Sequence, residues 1–379
     1  MEFAFTPEQE RIREAIGKVC ARFGDDYWLK RDREGGFPAD FHQAFAKDGW
    51  LGIAMPEEFG GAGLGITEAA VMMQAIAESG AGFSGASAIH MNIFGLNPVV
   101  VFGTDEQKKR MLPPLIEGKE RACFAVTEPN TGLNTRNLKV KAEKRDGKYF
   151  ISGQKVWIST AQVAEKVLLL ARTNIGITLF YTDLDRRHVE VREIHKMGRH
   201  AVDSNQVFFD GLPVPEGDRI GEEGKGFEYI LHGMNPERIL IAAELVGLGR
   251  CANARAANYA KERKVFDRPI GQNQAIQHPL AASWAQLEAV NLMVFKAASL
   301  YDAKKPCGAE ANAAKYLAGE ACFHACEQAV MTHGGYGYAA EYHVERYLRE
   351  SFVGRIAPVS RELILCFIAE KVLGLPKSY

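Results

Sequence analysis

The sequence predicts a multi-domain α and β chain: an N-terminal helical domain over residues 1–120, a small β-barrel or sheet domain over 121–230, and a C-terminal four-helix-bundle domain over 231–379. Three observations point there. The length of 379 residues exceeds what one core usually organises, at about 150 residues per domain. Helical periodicity fills the first third, and short β-rich runs replace it after Gly118. Long alanine-rich helical segments return after the glycine-rich stretch Gly221-Glu222-Glu223-Gly224-Lys225-Gly226.

In the first block, helices are expected over 7–23, 38–48, 67–80 and 105–117, the last opened by Thr104, whose hydroxyl suits an N-cap. The middle block breaks into strands at 123–126, 148–159, 166–172, 177–182, 188–194 and 205–209, punctuated by turns such as Arg145-Asp146-Gly147 and Asp210-Gly211-Leu212-Pro213. The last block carries helical segments near 238–262, 274–303 and 309–332, and a terminal helix around 360–372.

Composition narrows the function classes. Hydrophobic content of 47% and charged content of 25% are ordinary for a globular protein, and a net charge of −1 gives no general attraction to nucleic acid or anionic lipid. Seven scattered cysteines fit reduced thiols rather than a disulfide framework. No basic segment leads into an apolar run at Met1–Glu8, and no stretch reaches the roughly 20 apolar residues of a membrane span, so a soluble cytoplasmic protein is expected. The cluster Gly60-Gly61-Ala62-Gly63-Leu64-Gly65 precedes a helix but follows no strand, which argues against a dinucleotide fingerprint. In Cys322-Phe323-His324-Ala325-Cys326 the cysteines share a helix face and His324 points elsewhere, so no metal is assigned.

Two segments carry the chemistry: Cys123-Phe124-Ala125-Val126-Thr127-Glu128-Pro129-Asn130-Thr131-Gly132 and Lys155-Val156-Trp157-Ile158-Ser159. The first ends in a turn, where Pro129 fixes φ and Gly132 accepts positive φ. Together they offer a flat apolar wall and hydrogen-bond donors, the two things a flavin ring needs. They resemble the flavin-holding segments of the FAD-dependent acyl-CoA dehydrogenase family. The resemblance runs the length of the chain, through Met55-Pro56-Glu57-Glu58-Phe59-Gly60-Gly61, Gly198-Arg199, Phe208-Phe209-Asp210-Gly211 and Val214-Pro215.

The resemblance implies a cofactor site lined by Phe124, Val126, Thr127, Gly132, Leu133, Trp157, Ile158 and Ser159, with Thr127 and Ser159 bonding the ring and Trp157 packing on it. Leu133 stands where many relatives have a serine, and Asn134 is the substitute nearby. Arg263, Phe266 and Gln274 match the segment that a neighbouring subunit offers to FAD; a guanidinium suits pyrophosphate there. Gly334 and Gly335 match the glycine turn near the adenine end, while Met331 replaces the usual glutamine. Ser360 keeps a hydroxyl where the family's threonine meets FAD. The family also implies a homotetramer, an acyl-CoA substrate and electron-transfer flavoprotein as partner.

The base is not where many relatives keep it. Their I-Y-E-G-T segment aligns with Ile356-Ala357-Pro358-Val359-Ser360, which puts Pro358 at the glutamate. Met234-Asn235-Pro236-Glu237-Arg238-Ile239-Leu240 instead resembles the isovaleryl-CoA and long-chain acyl-CoA dehydrogenases and nominates Glu237. Burial should raise the pKa of this carboxyl unless a cation holds it ionised. Proline also lacks the N–H that helps bind the thioester carbonyl, leaving Ala357 or a flavin ribityl hydroxyl to polarise it. Asn235 and Arg238 match positions near bound CoA, and Phe94 and Leu96 are acyl-pocket candidates. Two rival readings share the fold: a flavin-dependent monooxygenase or amine-oxidising enzyme, and a DNA-associated flavoprotein. Glu237 argues against the first; the near-neutral charge and the lack of a basic C-terminal extension argue against the second.

Overall fold

The computed structural model describes residues 4–378, apart from the side chains of Asn92 and Phe94, so the Phe94 candidate falls outside the described residues. The chain opens with α1 (Pro7–Cys20), α2 (Asp25–Glu34), α3 (Ala39–Lys47), α4 (Ile66–Ile76), α5 (Gly82–Phe94), α6 (Asn97–Phe102) and α7 (Asp105–Ile116). Thr6 and Thr104 cap α1 and α7, each in a reciprocal box with the glutamine three residues on. In α1, Ile12, Ile16 and Val19 recur at helical spacing and turn one face inward. Helix α4 is mostly apolar and, after its first turn, buried on every side.

The middle block holds β1 (Ala122–Ala125), β2 (Lys141–Arg145), β3 (Lys148–Ser159), β4 (Lys166–Arg172), β5 (Ile177–Asp183), β6 (Val189–Glu193), β7 (Ser204–Pro215) and β8 (Arg219–Ile220). They form one sheet in the order β6-β7-β3-β2-β4-β5-β8, with β1 added parallel to β4. The end strands β6 and β8 do not pair, so the sheet is open rather than a closed barrel. The long β3–β7 ladder loses its register between Lys155 and Ile158, where Trp157 takes a left-handed φ of 61°. Such a bulge re-aims a side chain.

The third block comprises α8 (Gly226–His232), α9 (Met234–Glu262), β9 (Lys264–Val265), β10 (Arg268–Pro269), α10 (Gln274–Asp302), α11 (Gly308–His333), α12 (Val344–Ser351), α13 (Val353–Ile356) and α14 (Arg361–Phe367). The three long helices pack on one another, and α12 to α14 complete the bundle as a broken fourth segment. The first and last blocks share a single apolar core, in which α4 and α5 lie against α9. Gly247 of α9 permits this approach, because a Cβ there would sit 2.3 Å from the Gln74 carbonyl oxygen. Leu96 is fully buried in a second core, between α6, α7 and the sheet.

The cluster at Gly60–Gly65 has no strand before it and leads into α4, whose first-turn N–H groups are already taken. Asp302 of α10 accepts from the Ile66 and Thr67 amides at 2.8 Å each, so the helix terminus is neutralised from within the chain.

Candidate active site

Strand β1 and the turn after it are fixed by a buried ion pair. Lys155 of β3 is fully buried and donates to Glu128 Oε1 at 2.9 Å and to the Val126 carbonyl at 3.0 Å. Glu128 also accepts from the Lys139 and Val140 amides, at 2.6 and 3.0 Å. Burial pushes the Lys155 ammonium down to about 8 against the pull of Glu128. The pair ties the Val126–Thr127 turn to β3, and the Val156 N–H donates to the Thr127 carbonyl at 3.0 Å.

On this platform Phe124 and Thr127 are half-buried, Val126 is buried, and Gly132 and Leu133 are exposed. Trp157, turned out by the bulge, is 58% exposed. Ile158 faces the other way into the sheet core, which leaves only its backbone to an outside ligand. The Ser159 hydroxyl accepts from Arg199 Nη2 at 3.0 Å, and Arg199 Nη1 donates to Ser87 Oγ on α5 at 3.2 Å. Arg199 thus joins the platform to the helical block, with serine hydroxyls as its hydrogen-bond acceptors.

Glu237 lies in the first turn of α9, buried, with its Oε2 2.6 Å from His90 Nε2. The other ring nitrogen, His90 Nδ1, is 2.5 Å from Glu244 Oε1, seven residues further along the same helix. All three side chains are buried. Burial alone would depress the imidazole; the charges of Glu237 and Glu244 outweigh it and raise His90 to about 10. Burial raises Glu244, with Glu237 adding to the effect and His90 opposing it. The cation set as a condition on Glu237 is therefore present, as the His90 imidazolium.

Around the same helix start, Arg238 Nη1 donates to the Met234 carbonyl at 3.1 Å and to Asn235 Oδ1 at 3.4 Å. Lys315 of α11, fully buried, donates to the Val359 carbonyl at 2.6 Å. Burial, helped by the charge of Arg238, lowers Lys315 to about 8 while Glu237 pulls it upward. Lys315 therefore feels the charge of Glu237 while its ammonium is bonded to the 357–360 loop. In that loop the Ala357 N–H is taken by the Val353 carbonyl at 2.8 Å, and Pro358 has none. Ser360 caps α14, its hydroxyl accepting from the Leu363 amide at 3.3 Å.

A separate cluster occupies the opposite end of α9. Arg263 and Gln274 are exposed, Phe266 is 93% exposed with a positive φ, and the Arg263 guanidinium lies 5.8 Å from the Tyr336 ring centroid. Gly334 and Gly335 face open space, where a Cβ would meet nothing within 4 Å. Met331 is exposed beside them. Twenty-six residues of continuous helix separate Glu237 from Arg263, roughly 39 Å at 1.5 Å per residue. The structure thus gathers the Glu237 group at one end of α9 and the Arg263 group at the other.

Models of the N-terminal, middle and C-terminal domains of acyl-CoA dehydrogenases match residues 6–119, 123–212 and 224–373 in turn. The acyl-CoA dehydrogenase FadE12 of Mycobacterium tuberculosis is 36% identical over 389 aligned positions that cover 100% of this chain and 99% of that one. The chain belongs to the acyl-CoA dehydrogenase family. It is an oxidoreductase acting on CH–CH groups. The caffeyl-CoA reductase–Etf complex subunit CarC of Acetobacterium woodii is 34% identical over 84% of this chain and 86% of its own. Among solved structures, the FAD complex of PigA superposes with a TM-score of 0.94 at 25% identity, covering 99% of this chain and all of that one.

Within this acyl-CoA dehydrogenase frame, sequence reasoning missed three polar residues: His90 and Arg199, which contact the nominated Glu237 and Ser159, and Glu244, which contacts His90. One signal was available. Glu237 and Glu244 are seven apart, two helical turns, and so share a face of a segment otherwise apolar enough to be buried. A carboxylate in such a run needs a partner, and that partner comes from α5, some 150 residues earlier in the chain.

Proposed function

We propose that this chain oxidises a saturated acyl-CoA to its trans-2-enoyl product, with Glu237 removing the α proton. The observation that carries the reading is the Glu237 carboxylate, buried at the start of α9, where its charge acts on a Lys315 bonded to a 357–360 loop that has no carboxylate of its own. In this reading Asn235 and Arg238 lie along the CoA, and the thioester carbonyl is polarised by a group other than Ala357 or Pro358, since neither has an amide proton to give.

The residues fit FAD. The open glycines at 334 and 335, the outward Trp157 and the Ser159 hydroxyl are what the dinucleotide requires, and the family and the PigA complex favour the same cofactor. FAD, when bound, accepts the β hydrogen as hydride. Thr127 and Ser159 hydrogen-bond the ring, Trp157 covers it, Phe124, Val126, Gly132, Leu133 and the Ile158 backbone shape the pocket, and Ser360 approaches from the loop. Arg263 neutralises pyrophosphate, with Phe266, Gln274, Gly334 and Gly335 around it.

A flavin beside Glu237 cannot also meet the Arg263 of its own chain across roughly 39 Å of helix. A second copy therefore supplies the Arg263 group, within a homotetramer. Electrons leave through electron-transfer flavoprotein, the kind of partner with which CarC forms its complex. A cytoplasmic setting suits the seven cysteines, all free; no helix of the described residues is long and apolar enough to cross a membrane.

The test is anaerobic mixing of FAD-loaded protein with short, medium, long, branched and cyclic acyl-CoAs while following flavin absorbance. Rapid bleaching by one class is expected. No bleaching by any thioester, with the flavin still reducible by dithionite, would overturn the reading.

A further inference from the structure

Resting on that reading, we propose that His90 and Glu244 are positioning residues for Glu237: Glu244 holds Nδ1–H of a doubly protonated imidazole, whose Nε2–H docks one Glu237 oxygen and leaves the other as the basic atom. With both carboxyls ionised, the geometry requires this protonation. A neutral imidazole has one N–H and can donate to one carboxylate, whereas here both ring nitrogens are within 2.6 Å of carboxylate oxygens. The shift of His90 toward about 10 agrees with this.

Glu244 is fully buried in the middle of an apolar helix face, where a charge is costly unless it is paired. Its only hydrogen-bond partner among the described residues is His90; its second oxygen has none. Such a carboxylate is a costly way to fill an apolar core, and its hydrogen bond goes to the residue that grips the base.

The consequence appears when the proton moves. The α C–H bond breaks, its electron pair becomes the new Cα–Cβ π bond, the β hydride passes to the oxidised flavin, and the proton lands on the free oxygen of Glu237. Glu237 is then neutral, and the imidazolium beside it would face a buried neutral acid. Glu244 remains as its counter-ion, so protonating Glu237 does not strand a buried cation. The charged groups bearing on the cluster are Glu237 and Glu244 from α9 and, acting on Glu244 from the loop before β7, Arg199. Lys315 and Arg238 bear on Glu237. Glu350 of α12 fixes the other end of α5, accepting from the Phe83 amide at 2.7 Å and Ser84 Oγ at 2.6 Å.

The experiment is single-turnover flavin reduction from pH 6 to 10.5 for wild type, Glu244→Gln, Glu244→Asp and Glu237→Gln, with acyl-CoA affinity read separately from the flavin spectrum. Expected for Glu244→Gln are unchanged affinity within about twofold, at least tenfold slower reduction, and an alkaline limb displaced downward by more than one pH unit. Glu244→Asp keeps the charge and should restore much of the limb, which separates positioning from mere packing and carries the test if the glutamine variant fails to assemble. Reduction of Glu244→Gln at the wild-type rate with an unmoved limb, while Glu237→Gln is inactive, would overturn the positioning role and leave Glu237 as base. A wild type that no acyl-CoA bleaches would overturn the dehydrogenase reading and the positioning role with it.

Discussion

Replacing Lys155 by methionine tests whether the buried Lys155–Glu128 pair builds the flavin platform. The lysine is fully buried and, among the described residues, is the only side chain that donates to Glu128; the two remaining donors to its carboxylate are the Lys139 and Val140 amides. Removing one partner of a buried pair leaves the other charge uncompensated, at a cost of about 3–5 kcal/mol. For an unfolding unit the size of this β block, 1 kcal/mol moves Tm by a few degrees, so a fall on the order of 10 °C is expected in calorimetry. Because Lys155 also anchors the Val126 carbonyl, FAD retention through gel filtration should fall in step. The double variant Glu128→Gln/Lys155→Met should be less damaging than the sum of the singles, with a coupling of about 2 kcal/mol or more. A shift under 1 °C with full FAD retention, or strictly additive effects, would refute the argument.

Co-expressed Glu237→Gln and Arg263→Ala chains should recover thioester-dependent flavin reduction that each variant alone lacks, because a mixed assembly contains sites with Glu237 from one copy and Arg263 from the other; no recovery would count against the shared site. Trp157→Ala should weaken FAD retention at least tenfold while changing Tm by less than 2 °C, since a 58% exposed side chain with a left-handed φ contributes little to the core. Asp32 accepts from Arg349 at 2.6 Å and pairs with His200, joining α2 to α12 and to the loop before β7. Burial would raise this carboxyl, but hydrogen bonds from His200 and Arg349 dominate and lower it, while the Asp32 bond raises His200 to about 9. The signs follow: the Asp32 share is present above about pH 4 and lost on acidification, and the His200 share is complete below its unfolded value of about 6.5 and lost as pH rises from there to about 9. The Tm gap between wild type and Asp32→Asn should therefore be widest near pH 5–6 and narrower at pH 9.

Local patterns carried much of the fold. The cap at Thr104, the switch in period after Gly118 and the alanine-rich helices were legible because helix and strand signals are written within a few residues. The shared core of the first and last helical blocks was not, since it depends on close approaches such as Gly247 against Gln74 that no single segment reveals. The same holds at the site. Glu237 was nominated from its neighbours in sequence, while His90 reaches it across the α5–α9 contact and Arg199 reaches Ser159 from a loop after β6. Trp157 sits in a run that looks uniformly β, and only the pairing with β7 reveals the bulge that turns it outward. The open Ala357 alternative closed for a local reason: its amide proton is spent on the Val353 carbonyl at the end of α13.

The most direct test of the central claim is the single-turnover rate of Glu237→Gln against wild type with the acyl-CoA that bleaches wild type fastest. A positioned base contributes roughly 10²–10⁴-fold, so reduction should slow by at least a hundredfold while FAD content and thioester affinity stay as they were. Reduction within tenfold of wild type would place the base elsewhere and contradict the account.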